Sequence, residues 1–131
     1  MKTNKKLLFL VIALMIAFVG CKKYDDGPTV SPWPAKWRVV NTWKVEKYIV
    51  GSVSQTVSNS DTYEFKSNGD YISTSGSLSY TGTWEFGDKK ETIKITYGSI
   101  VGESKILRLT SNELWVSDMN GNTETHYVSA K

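Results

Sequence analysis

From Trp37 to Lys131 apolar and polar residues alternate with a period of two, with no proline and no helical period. Such alternation marks strands with one buried face. Leu78, Tyr80, Gly82, Trp84 and Phe86 fall on one side of their segment, and Ser79, Thr81, Thr83 and Glu85 on the other. Ile93, Ile95 and Tyr97 alternate with Lys94 and Thr96, and Leu107 and Leu109 flank Arg108. The pattern predicts strands over 38–50, 53–58, 61–67, 70–76, 78–86, 91–97, 103–110, 113–119 and 122–129. Short links between successive strands imply an up-and-down meander, and closing it into a barrel removes the exposed edges. The expected fold is therefore all-β, a small antiparallel β-barrel of about eight strands over 37–131.

Turn residues fix parts of the register. Between Phe65 and Tyr71, a three-residue loop Ser67-Asn68-Gly69 with Gly69 left-handed sets Phe65 opposite Tyr71 and keeps Tyr63, Phe65, Tyr71 and Ser73 on one face. A one-residue slip would turn the aromatics to water. A turn at Asn120-Gly121 sets Leu114 against Tyr127 and Val116 against Thr125, leaving Trp115 and His126 together on the outer face. Across the Thr110–Glu113 turn, Leu109 faces Leu114.

The inward set is rich in large rings, each burying roughly 150–250 Å². It comprises Trp43, Val45, Tyr63, Phe65, Tyr71, Leu78, Tyr80, Trp84, Phe86, Ile93, Ile95, Tyr97, Leu107, Leu109, Leu114, Val116 and Tyr127. Such bulk either plugs the barrel or lines an apolar pocket. If a pocket exists, Trp43, Tyr63, Phe65, Tyr71, Tyr80, Trp84, Tyr97 and Tyr127 are its candidate ligand-binding residues, with the phenols offering hydrogen bonds. Catalysis is not expected. The single histidine, His126, reads as a surface residue with nothing placing a serine and an orienting acid beside it. Asp118–Asn122 lacks the spacing of a calcium loop, and no cofactor or metal is called for.

The first residues have a different character. Lys2, Lys5 and Lys6 precede an uncharged run, Leu7–Val19, of thirteen residues. That is too short to span a bilayer, which takes roughly twenty, and fits a secretory signal peptide over 1–20. Phe18-Val19-Gly20-Cys21 ends it at the only cysteine of the chain. This stretch resembles the lipobox of bacterial lipoproteins, which implies a lipidated Cys21 and attachment to a membrane. Lys22 after the cysteine, and Asp25-Asp26 after Lys22-Lys23, resemble outer-membrane and cell-surface signals, with the periplasmic and surface faces both open. Residues 21–36 hold all three prolines, Pro28, Pro32 and Pro34, and read as a flexible tether reaching at most about 50 Å at ~3.3 Å per residue. Within it, Trp33 either caps the folded domain or stands exposed near the membrane. Without the leader's lysines the chain has thirteen basic and thirteen acidic residues, so nucleic acid is not an expected partner.

Asn41-Thr42-Trp43-Lys44-Val45, Tyr63-Glu64-Phe65, Asn68-Gly69-Asp70-Tyr71, Gly82-Thr83-Trp84 and Leu109–Leu114 follow one another in an order that resembles the lipocalin-like domain of small Bacteroidetes lipoproteins. The resemblance implies an eight-stranded-type antiparallel barrel and, by analogy alone, a ligand. With the lipobox and the lack of a catalytic set, the chain reads as a lipid-anchored, non-catalytic module of the outer envelope that takes a small apolar or amphipathic ligand. The alternative is a filled barrel with a structural role or an envelope protein partner, contacted through Trp33, Trp115 and His126.

Overall fold

The computed structural model describes residues 23–28 and 31–131. Cys21, the leader over 1–20 and its lipidation lie outside the described residues. A short helix, α1 (Ala35–Val39), precedes β1 (Asn41–Val50), β2 (Val53–Thr56), β3 (Thr62–Phe65), β4 (Asp70–Ser75) and β5 (Leu78–Phe86). A 3-10 turn, Asp88–Lys90, leads to β6 (Thr92–Tyr97), β7 (Ile100–Leu109), β8 (Glu113–Ser117) and β9 (Thr123–Ser129). Each strand is antiparallel to its neighbours, and β1 closes the sheet onto β9. β2 and β3 share one edge of β1: β2 pairs with Lys47–Val50 and β3 with Asn41–Trp43. They act as one interrupted strand, so the barrel is a closed, up-and-down, eight-stranded meander.

The registers expected from the turns are present. Phe65 faces Tyr71, and Gly69 adopts a φ of +96°. Leu109 faces Leu114, Leu114 faces Tyr127 and Trp115 faces His126. Three details differ from the sequence reading. Residues 38–40 are not strand: α1 and Val40 occupy them, and the Trp43 indole N–H donates to the carbonyl of Val39. β7 begins three residues earlier than expected, because Gly98-Ser99 makes a tight hairpin with β6. The third difference is a bulge in β7 between Ile106 and Arg108, which turns Ile106 rather than Leu107 toward Val116 and the core. A second bulge, between Val45 and Lys47 in β1, puts Tyr48 and Val50 on the inward face.

The core sits toward one end. Trp43, Leu109, Leu114, Ile106 and Val39 are fully buried, with Phe65, Tyr71, Trp84 and Ile93 around them. α1 closes this end, and the buried guanidinium of Arg38 donates to the carbonyl of Leu109. Where the sequence reading has a free tether, residues 23–28 lie against the barrel instead. Tyr24 is buried in the core cluster, and its hydroxyl donates to the carbonyl of Lys90 (3.0 Å). Lys23 Nζ donates to the carbonyl of Lys89. The Asp26 amide donates to Leu107, and Asp25 pairs with Lys105 at 2.8 Å. One buried ring anchors a segment that composition alone marks as spacer.

Candidate functional site

Register separates the inward face into two zones. In the lower zone, Phe65 meets Tyr71 edge to face (4.9 Å between centroids) and Trp84 at 5.6 Å, and Trp84 meets Phe86 at 5.5 Å. These rings, with Trp43, Leu109 and Leu114, leave this half filled.

Above them lies a layer of phenols. Tyr63 and Tyr127 meet edge to face at 5.5 Å, and Tyr71 and Tyr97 at 5.6 Å. Gly82 lies opposite Tyr71, and a Cβ there would run into the Thr96 carbonyl and the Tyr97 ring. The missing side chain thus makes room for the layer. Burial, then the neighbouring phenols of Tyr127, Tyr97 and Tyr63, push the Tyr71 hydroxyl far above its ordinary pKa of 10. Burial, then Tyr63, Tyr48 and Tyr97, raise Tyr127. Tyr63 is raised by burial, then by Tyr48, the Asp61 carboxylate and Tyr97. Tyr63, Tyr71 and Tyr127 are therefore neutral at physiological pH.

Beyond the phenols the barrel is open. Tyr63 pairs with Ser73, Ser73 with Tyr80, and Ser75 with Leu78, so Tyr80 and Leu78 share the inward face. Tyr97 pairs with Ile100, and Val50 with Val53, which places both partners on the same face. Yet Leu78 is 60% exposed, Tyr80 58%, Ile100 71% and Val53 67%. Inward-facing apolar side chains this accessible line a cup open to solvent. Its wall also carries Gln55, Ser73, Ser75, Ser104 and Thr125, which pair with inward residues of adjacent strands. One side of the cup is unsealed. β4 pairs with β3 only as far as Thr74 opposite Thr62, and the outer edge of β2 has no strand partner among the described residues.

The expected ligand-binding residues therefore divide. Trp43, Phe65, Trp84 and the Tyr71 ring belong to the filled half. Tyr63, Tyr97 and Tyr127 form the floor of the cup, and Tyr80 stands in its wall. Val53, Ile100, Ser73 and Thr125 are wall residues that were not singled out from sequence. Parity already set Ser73 on this face and Thr125 opposite Val116, but short polar side chains carry no ligand-binding signal of their own.

The outer-face pair differs from expectation. His126 is buried rather than exposed, stacked on Trp115 at 4.1 Å with Nε2 2.8 Å from Glu124. Arg108 covers the other face of the indole at 5.1 Å and pairs with Glu113. Neighbouring side chains on adjacent strands bury the imidazole, which alternation alone does not register. Clefts on the outside are shallow. One of about 340 Å³ lies between Val40, Thr42, Phe65, Lys66 and Lys131 at the closed end.

The closed eight-stranded meander with a one-ended core defines a lipocalin-like barrel. Among solved structures, the chain is similar to a lipocalin-like protein from Bacteroides uniformis (TM-score 0.58, 15% identity), covering 70% of this chain and 98% of that one. It is similar also to an uncharacterized protein from Bacteroides eggerthii (TM-score 0.59, 14% identity), with the same shares covered. No protein-family model and no curated protein matches the sequence.

Proposed function

We propose that this chain is a lipid-anchored envelope lipoprotein whose barrel is a non-catalytic module binding a small amphipathic ligand in its open cup. The observation that carries the binding reading is the accessibility of Leu78, Tyr80, Ile100 and Val53 on the inward face, above half-buried phenols. Apolar walls with a few convergent polar groups are the ordinary make-up of a small-molecule site. The lipobox-like Phe18–Cys21 supports the anchor, since two or three acyl chains on one cysteine would hold a protein durably at about 0.8 kcal/mol per buried methylene. An outer-membrane location, at the periplasmic or cell-surface face, follows from Lys22 and the acidic pair Asp25-Asp26.

Two measurements test the reading. Mass spectrometry of the membrane-extracted protein should find a chain beginning at an acylated Cys21; an uncut leader with a free thiol contradicts the anchor. Calorimetric titration with short-chain amphiphiles should show saturable, one-to-one binding; no heat with any of them contradicts the ligand.

A second reading has its own support. Trp33 and Trp37 are 58% and 66% exposed and lie 6.0 Å apart at the closed end. Such a pair suits contact with an envelope protein. Loss of a co-purifying partner on Trp33→Ala would favour it, whereas Trp115 and His126, being stacked and covered, are poor contacts.

A further inference from the structure

The charge pattern of the cup narrows its ligand. Its floor is Tyr63, Tyr97 and Tyr127, with Tyr48 beside them, and its wall is built of serine, threonine, glutamine and aliphatic side chains. Apart from Glu46, which sits in the β1 bulge, lysine, arginine, aspartate and glutamate on these strands fall at outward parity. Glu85 pairs with Lys94, and Lys94 with Glu103, on the outer face. Lys47 and Glu124 lie beside His126 and Ile49 on the outward side of β1 and β9. The ionised group that reaches the phenols is an anion, Asp61, whose charge helps to raise Tyr63. Asp61 is held in place by Asn59, which accepts from its amide and donates to its carboxylate at 3.3 Å.

Polarity also changes with depth. Tyr63, Tyr97 and Tyr127 pack against the buried core, whereas Val50, Val53, Leu78 and Ile100 stand at the ends of strands joined by Gly51-Ser52, Gly76-Ser77 and Gly98-Ser99, with Tyr80 two residues further in. These three hairpin tips carry no charge, and the fourth turn at this end, between β8 and β9, adds one anion, Asp118, whose carboxylate accepts from the Asn122 amide.

We propose that the cup selects an uncharged amphiphile over an anionic one, an apolar chain ending in hydroxyl or carbonyl groups, and takes it polar end first. This rests on the ligand-binding reading given above. Phenols and hydroxyls satisfy a neutral polar head inside the barrel. A carboxylate there would lose water with no cation to pair with and with Asp61 facing it, a penalty large enough to decide selectivity. The chain lies against the apolar lip, where burial is favourable at either end of the series.

Calorimetric titration of the purified protein at pH 7.5 with 1-monooctanoylglycerol, octanoate and octylamine tests this directly. These probes share a chain length and differ in head charge. The glyceride should bind at least about tenfold more tightly than octanoate. Gln55→Lys, on the exposed inward side of β2, should narrow or reverse that preference, and Ser73→Lys should do the same from the opposite wall. Gln55 is solvent-exposed, so its variant keeps the test sound should Ser73→Lys fail to fold. Octanoate binding as tightly as the glyceride overturns the selectivity while leaving a ligand-binding cup intact. Failure of all three probes to bind the folded protein overturns the cup reading itself, and the selectivity with it.

Discussion

The two ends of this barrel are made from the same alternating strands and have opposite fates. At the closed end, α1, Tyr24 and the rings of Trp43, Phe65 and Trp84 fill the interior. The turns there are charged: Lys66 to Asp70, and Asp88-Lys89-Lys90-Glu91. At the open end, three tight hairpins begin with glycines at φ near +60° (Gly51, Gly76 and Gly98), the position a type II′ turn reserves for glycine. No helix covers that end among the described residues. Inward parity therefore sets only the face of a side chain. Burial depends on height along the barrel, and on whether something plugs that level.

Breaking the filled half should cost most. Trp43→Ala removes a fully buried indole and its bond to Val39, and should destabilise by about 3–5 kcal/mol in denaturant unfolding. Tyr80→Ala, at matching parity in the open half, should cost no more than about 0.5 kcal/mol. Comparable losses at the two positions would erase the distinction between the halves.

The phenol layer marks the boundary and can be probed in two ways. Gly82→Ala places a Cβ against the Thr96 carbonyl and the Tyr97 ring, and should cost about 1–3 kcal/mol by overpacking. A fully tolerated alanine would mean that the rings are not confined there. The second probe is pH. Tyr71 and Tyr127 have raised folded-state pKa values, so above pH 10 the unfolded chain releases protons that the folded one keeps. Their contribution is complete below pH 10 and is lost as pH rises beyond it, by about 1.4 kcal/mol per pH unit for each phenol that stays protonated. Tyr71→Phe should flatten this alkaline decline, measured as the denaturant midpoint between pH 9 and 11. An unchanged slope would contradict the burial of these phenols.

Smaller effects belong to the periphery. Gly98→Ala leaves open space around the new methyl but forces φ of +56° on it, and should cost about 1–2 kcal/mol. Lys105→Ala breaks an exposed pair with Asp25 and should leave the melting temperature unchanged. A clear drop would mean that residues 23–28 are held by charge rather than by the buried Tyr24 ring.

Much of this architecture was legible in the sequence, for identifiable reasons. Period two showed the strands, and Gly69 and the Asn120-Gly121 turn fixed register at two hairpins. Three features were not legible. The bulges near Glu46 and Leu107 shift parity without any special residue to announce them. α1 spans five residues, Ala35–Val39, too few for a helical period, and it forms where proline ends the preceding segment and the barrel needs a plug. Depth was hidden as well: Leu78 and Trp84 share a face in one strand, yet one is exposed and the other buried. Six residues along a strand separate lip from core, a distance set by barrel geometry rather than by either side chain.

The most direct test maps where a neutral amphiphile touches the barrel. In a nuclear magnetic resonance titration with 1-monooctanoylglycerol, the shifts should concentrate at Gln55, Tyr63, Ser73, Tyr80, Tyr97, Ile100 and Thr125. Resonances of Val39, Trp43 and Leu109 should stay in place. Perturbations centred on α1 and the Lys66–Asp70 turn, or none at the upper inward positions, would contradict an open cup above a sealed core.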